Sequence, residues 1–438
     1  METRDKVALD RLVAQPLAWG LAGATWALGR VLRRDHSVTA ERVKTIVVAK
    51  LLGMGSIIQS TPLLHALRRE FTNARLIFLT GIGNRDLVER LPVIDEAIYL
   101  RDGRIETLAP DVATSMASLA RRGVDLYFDL EVYSGAASIL AAASFARNRY
   151  GFYRHSARFK KGNYTHLVYF NVRMPVARLY LQLYHAAGGT ILDPPEFGPI
   201  LLTGSEIAHM REALSALGLP SGERYIVVNA NASDLLLERR WPAERFVATI
   251  EALTALGHRV VLIGAPREAA YVNAIHSRLA PAARAHTIDS SGKISLVDVF
   301  AAIHEAHCVV TNDTGPMHLA IAMRRPTVCL FGPGSPDHYG VIGPNIDIRY
   351  KPVVCSPCIY ETDLPPCDGN NVCMQLIEPG EVVEAVQRLL ADPTHQAALC
   401  GRLPPIEPSV QYVDRLGRAL GVVARTSVAP GLGLKPPR

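Results

Sequence analysis

Apolar and polar positions fall into three regimes along the chain. Residues 12–29, LVAQPLAWGLAGATWALG, carry no charge and are followed by Arg30, Arg33 and Arg34. Beyond residue 40, short β-branched runs alternate with longer runs of helical period: KTIVVAK, IIQSTPLLHALRREF, RLIFLTG, and later VDLYFDL before AASILAAASFA. The stretch LDPPEFGPILL, residues 192–202, interrupts this rhythm with three prolines and a glycine and reads as a linker. The alternation then restarts with RYIVVNA, AERFVATIEALTALG, RVVLIGA, EAAYVNAIHSRLA, CVVTND, PMHLAIAM and TVCLFGP. Strands separated by helices predict α/β architecture with parallel, doubly wound sheets. The restart predicts two such domains, residues 41–200 and 201–400, with a cleft where strand carboxyl ends converge on a ligand. Residues 401–438 are expected to hold one helix, at residues 411–423, and a mobile Pro-rich tail.

Residues 1–40 form a segment of their own. Eighteen residues at 1.5 Å each reach about 27 Å, just short of a ~30 Å hydrocarbon core, and Pro16 and three glycines would kink the run. Glu2, Asp5 and Asp10 dilute the basic start that a signal peptide needs. A helix packed on the protein's own core, an interfacial or re-entrant anchor with its arginines on the cytoplasmic side, and a full span all stay open. The expectation is a membrane-associating segment on the cytoplasmic face of the inner membrane.

A chain of 438 residues exceeds what one hydrophobic core supports. A net charge of +6 spread along this length argues against a nucleic-acid partner and suits an anionic small ligand or membrane surface. Seven cysteines without a signal peptide do not describe a secreted disulfide framework. Four of them, Cys355, Cys358, Cys367 and Cys373, lie within an insert at residues 352–375. Their density fits a tetrahedral structural zinc or iron, with reduced thiols or two disulfides as alternatives. Cys308 and Cys329 sit in apolar strands and read as core.

Two strand-to-helix turns carry candidate chemistry. In VVTNDTGPMHLAIAM, Asn312, Asp313 and Thr314 fall just past a strand end, and Pro316 suits the first turn of the next helix. The N–H groups of Thr314 and Gly315 would face outward with the positive end of the helix dipole, ready for a phosphate, unless the helix is simply capped by its own side chains. The earlier turn, KLLGMGSIIQSTP, passes through Gly53 and Gly55 but lacks both the third glycine of a dinucleotide fingerprint and the lysine of a P-loop. It promises close backbone approach.

The blocks LLGMGSIIQSTPLLHALRREF, LPVIDEAIYL, RRWPAERF, VTNDTGPMHLAIAMRRPTVCLFGP and CSPC occur in order and resemble glycosyltransferase family 9, the heptosyltransferase family. The resemblance implies a GT-B fold of two Rossmann-like domains. It also implies an inverting, metal-independent glycosyltransferase that takes a nucleotide-sugar donor, ADP-heptose in the best-known members, and a glycan or lipid-linked acceptor of cell-envelope polysaccharide or lipopolysaccharide synthesis. Asp313, Thr314, Gly315 and His318, with Met317, then look like the donor diphosphate and sugar site. Arg239 or Arg240 falls where the family places a basic residue for the phosphates. Glu268, with Gly264 beside it and Lys293 further on, is similar to the donor-ribose region.

One position departs from the family pattern. Members commonly carry Gly-Asp in the first turn, the aspartate being the proposed base, whereas this chain has Gly55-Ser56, and a serine hydroxyl is too weakly acidic to serve unaided. The substitute candidates are Glu131 and, second, Asp129 in YFDLEVYSG; at i and i+2 of a continued strand they would project to the same side. The other reading of Ser56 is a non-catalytic nucleotide-sugar-binding subunit.

Overall fold

The computed structural model describes residues 3–32, 35–191, 197–232, 236–359, 365–391, 409–413 and 419–424. Residues 192–196 of the expected linker and most of the expected tail lie outside the described residues. Two sheets form around strands whose residues are buried on both faces, as near-continuous apolar runs require. In the first, β1 (Thr45–Ala49), β2 (Arg75–Gly81), β3 (Glu96–Leu100), β4 (Leu126–Asp129), β5 (Asn148–Tyr153) and β6 (His166–Tyr169) lie parallel in the order β6-β5-β4-β1-β2-β3. In the second, β7 (Tyr225–Asn229), β8 (Arg259–Leu262), β9 (Thr287–Asp289), β10 (Cys308–Asn312), β11 (Thr327–Phe331) and β12 (Ile346–Tyr350) follow the order β12-β11-β10-β7-β8-β9.

The chain reverses winding direction between β1 and β4 in one sheet and between β7 and β10 in the other. At such switch points the connecting helices depart to opposite faces and leave a crevice at the strand carboxyl ends. Both turns singled out above follow a switch-point strand: residues 50–56 follow β1, and residues 313–315 follow β10.

The backbone differs from expectation at the carboxyl end. Instead of a helix at residues 411–423, β13 (Ser409–Val413) and β14 (Ala419–Ala424) form an antiparallel pair. Tyr412 pairs with Val168 and extends the first sheet beyond β6. The Val-Gln-Tyr-Val alternation suits a strand, and an unpaired edge supplies the partner that local propensity alone does not reveal.

At the amino end, the helices Thr3–Leu9 and Gln15–Leu32 flank a wide π-type turn at Asp10–Ala14. Among the described residues no helix is long and apolar enough to cross a membrane. The longer helix docks through small residues: Ala18 packs with Ala157 and Phe159, and Ala22 is buried against Gly162, which has no side chain to hold it off. Polar contacts fasten it, with Asn163 Nδ2 donating to Ala18 O at 2.9 Å and Thr25 Oγ1 donating to Gly162 O at 2.9 Å. Leu17, Trp19, Trp26 and Val31 are exposed on it, and Leu12 is exposed in the turn before it.

Three histidines are held neutral by burial, His166 and His338 at about 4 and His318 at about 3. The unfolded chain takes up these protons near pH 6.5, so the fold keeps its full stability above that value and loses it as pH falls toward 4. Urea unfolding at pH 7.5 and pH 5.0 should show a loss of about 2 kcal/mol for each such histidine at the lower pH. His166→Asn should flatten part of that slope.

Candidate active site

On the second sheet, β10 delivers Asn312 to the cleft. Its Nδ2 donates to Asn231 O at 3.0 Å and its Oδ1 accepts from Trp241 N at 3.2 Å, which ties the end of β10 to the loop after β7. Asn229 Nδ2 donates to the Thr314 hydroxyl at 2.9 Å, and that hydroxyl donates to Asn312 O at 3.2 Å. With Thr314 committed this way, no side chain caps the helix Gly315–Ala322; Pro316 has no N–H and Met317 N donates to Thr314 O at 3.1 Å, which leaves the Gly315 N–H at the positive end of the dipole. The simple capped helix is thereby set aside.

Asp313 stands beside this helix end, 3% exposed, with Oδ2 lacking a hydrogen-bond partner among the described residues. Burial pushes its carboxyl above the usual range, and Arg239, whose Nε lies 3.8 Å from Oδ2, works against that shift. Arg240 turns away and stacks on Tyr271, 4.1 Å from the ring centroid. Of the two basic candidates, the geometry therefore brings Arg239 to Asp313. Gly334 packs directly on the Asp313 carboxylate, where any β-carbon would overlap it.

The remaining donor candidates divide. His318 is buried within 3.0 Å of Gln59 Nε2 on the opposite half, and a methyl group on Gly55 would overlap its ring. Met317 is packed in the core, and its N–H donates to Thr314 O at 3.1 Å. Gly264 passes close to Asn231 and Ser291. Glu268 accepts from Ala265 N at 2.7 Å and closes its own turn, while Lys293 Nζ folds back onto Asp289 O at 2.7 Å. These last three lie at the ends of β8 and β9.

On the first sheet, Gly53 has φ +90°, a left-handed conformation that favours glycine, and leads into the helix Met54–Gln59. Ser56 lies beside the buried Tyr180 hydroxyl. Glu131 lies beyond the end of β4, and its Oε1 accepts from Lys50 Nζ at 2.7 Å, Leu51 N at 2.9 Å and Leu52 N at 3.1 Å. Burial alone would raise its pKa, but the Lys50 ammonium and these N–H groups outweigh it and hold the carboxyl below the usual range.

Asp129 does not share that side. It is fully buried; Oδ1 accepts from Glu131 N at 2.9 Å, and Oδ2 accepts from Lys160 Nζ at 2.8 Å and from the Tyr164 hydroxyl. The strand stops at Asp129, and the turn that this side chain builds swings Glu131 toward Lys50, so the i, i+2 expectation of a shared face fails.

The four clustered cysteines line one small cavity of about 60 Å³ together with Glu238, Pro333 and Asn371. Among the described residues no three or more His, Cys, Asp or Glu side chains are arranged to hold a metal, and these thiols form no disulfide. Burial pushes the Cys373 thiol up to about 11 and raises that of Cys358, which disfavours thiolates. As they stand, the residues do not fit the metal finger expected from their spacing. They instead brace the loop over Asp313: Cys358 N donates to Pro333 O at 3.1 Å, one residue from Gly334.

Sequence reasoning missed Gln59, Tyr180, Gly334 and Arg154. Arg154 follows β5 beside an open recess of about 430 Å³ lined by Tyr153, His155, Ser156 and Tyr169, and its Nη1 is buried without a hydrogen-bond partner among the described residues. Its signal was position alone, an arginine immediately after a strand of the first sheet.

Two parallel sheets meeting at their switch points, one of them presenting an uncapped helix end, define the GT-B class. The family model described as glycosyltransferase family 9 (heptosyltransferase) matches residues 117–367, and the chain belongs to that family. A lipooligosaccharide heptosyltransferase 2 from Haemophilus influenzae is 32% identical over 117 residues, 27% of this chain and 34% of that protein. The matched stretch thus spans about a third of that relative's length. Among solved structures, a glycosyl transferase family 9 protein from Veillonella parvula superposes with TM-score 0.66 at 24% identity, covering 82% of this chain and 99% of that one. The ADP-heptose LPS heptosyltransferase II of E. coli gives TM-score 0.65 at 20% identity over 80% and 99%. These two likenesses bear on the fold.

The buried Lys160–Asp129 pair yields a stability test. Lys160→Met leaves a carboxylate buried without its counter-ion and should cost about 3–5 kcal/mol in urea unfolding, most of it recovered when Asp129→Leu is added.

Proposed function

We propose that this protein is an inverting, metal-independent glycosyltransferase that moves heptose or a related sugar from a nucleotide-sugar donor to a lipid-linked glycan of the cell envelope. The observation that carries this reading is the uncapped end of the helix Gly315–Ala322, with Asp313 and Arg239 beside it, facing the first turn of the opposite sheet. The Gly315 N–H at the positive helix end and Arg239 suit the donor diphosphate, while Asp313 Oδ2 and His318, held neutral, suit sugar hydroxyls. The recess beside Arg154 suits the acceptor.

In the transfer, an acceptor hydroxyl oxygen bonds to the anomeric carbon as the bond to the diphosphate breaks. The electron pair leaves with the nucleotide, and Glu131 takes the proton. Oε1 carries all of that carboxylate's hydrogen bonds among the described residues, which leaves Oε2 for the proton. The four-cysteine cavity takes no part in this step. The exposed Trp19, Trp26 and Leu17 suit contact with the cytoplasmic surface of the inner membrane, where a lipid-linked acceptor would be met. A second reading, a subunit that binds nucleotide sugar without transferring it, is favoured by Ser56 in the first turn.

Label transfer from a panel of nucleotide sugars, ADP-heptose first, onto a glycolipid extract separates the two: the enzyme transfers label, the binding subunit only retains donor. Asp313→Ala and His318→Ala should weaken calorimetric donor affinity by about one to two decades with the fold intact. Glu131→Gln should lower turnover about 100- to 10,000-fold with donor affinity nearly unchanged, whereas Ser56→Ala should cost far less. Full activity of the Glu131 variant would move the base elsewhere. For the membrane contact, flotation with anionic vesicles should recover the intact protein and lose it on joint substitution of Trp19→Ser and Trp26→Ser.

A further inference from the structure

The amino-terminal segment does more than expose an apolar face. Asp10, in the wide turn Asp10–Ala14, reaches the start of the helix Gly135–Ala143. Its Oδ1 accepts from the Ser134 hydroxyl at 2.9 Å and from Ala136 N at 2.9 Å, and its Oδ2 accepts from Gly135 N at 2.8 Å. Gln15 Nε2 adds a bond to Tyr133 O at 3.0 Å. Gly135 is a glycine where the backbone of residues 14 and 15 presses against it, since a β-carbon there would overlap both. A carboxylate at a helix amino end satisfies N–H groups that the helix cannot and complements the dipole. Here it is supplied from 124 to 126 residues away along the chain.

The capped segment is the one that carries Glu131. Residues 131–136 are held at one end by Asp129 and Lys160, which take the N–H and the carbonyl of Glu131, and at the other by Asp10 and Gln15. Between these clamps the segment must keep the Glu131 carboxylate on Lys50, Leu51 N and Leu52 N. We propose that Asp10 is a positioning residue for Glu131, coupling the amino-terminal segment to the acceptor side of the cleft; this rests on reading Glu131 as the base. Removal of the cap loosens the segment, Glu131 loses part of its contact with Lys50 and the turn, and its pKa rises.

The test compares the full-length protein with Asp10→Ala, Asp10→Asn and Glu131→Gln, using ADP-heptose and a glycolipid extract as probes. Asp10→Ala should lower kcat about tenfold, leave calorimetric donor affinity within about twofold, and move the acid limb of the kcat profile to higher pH. Asp10→Asn, whose amide oxygen still accepts from the helix end, should recover most of the turnover. Hydrogen exchange should show amides 131–137 losing protection in Asp10→Ala. A kcat and acid limb equal to the parent's would overturn the proposal, as would reduced kcat with an unmoved limb and parental protection of those amides. Should Glu131→Gln keep full turnover, the base assignment falls on its own, and Asp10 is judged on exchange alone: unaltered protection of residues 131–137 refutes it.

Discussion

Lys160 and Asp129 face each other with no solvent exposure, and much of the amino-terminal half is arranged to keep them so. Two charges out of water are tolerated only when their remaining hydrogen-bonding capacity is met. Tyr164 and the backbone of Glu131 meet it. Satisfying the pair therefore fixes where β4 ends and which way Glu131 turns. It also fixes the loop carrying Lys160, and that loop is the platform on which Ala18 and Ala22 settle. A requirement for electrostatic closure in the interior is thus transmitted outward to the surface helix.

The two sheets were legible because their central strands, β1, β7, β10 and β11, are buried on both faces and are written as apolar runs between helical patterns. The switch-point turns were legible because glycines at 53 and 55, and the run Asn312 to Gly315, interrupt the apolar pattern between a strand and a helix. Features that depend on distant partners were hidden. The divergence of Asp129 and Glu131 is built by Asp129, which accepts from Glu131 N, but the Lys160 that pairs with Asp129 lies 31 residues on, outside YFDLEVYSG. Likewise, residues 411–423 have enough helical pattern to mislead until the edge of β6 is available to pair. Cys355, Cys358, Cys367 and Cys373 line one cavity, but spacing does not reveal how closely four thiols approach.

The two halves of the site work by opposite electrostatic means. On the second sheet, Thr314 is drawn into bonds with Asn229 and Asn312, so the helix end, with the Gly315 N–H, lacks a side-chain cap beside the buried Asp313. Preorganised donors of this kind stabilise charge without reorganising at the moment of reaction. On the first sheet the opposite holds, and a carboxylate is anchored through one oxygen by an ammonium and two amides. The first half waits for an anion; the second holds one in place.

The notch at Gly55 has a bearing on timing. His318 sits where a side chain would otherwise be and is hydrogen-bonded to Gln59, so the two halves can separate only by withdrawing the ring and giving up that bond. Under the function proposed above, a donor spanning the same gap enters while the ring is out, and spent nucleotide leaves by the same route. Opening and closing of such clefts takes microseconds to milliseconds and often limits turnover. A single absent methyl group at Gly55 thus lets one buried ring join the two halves of the cleft.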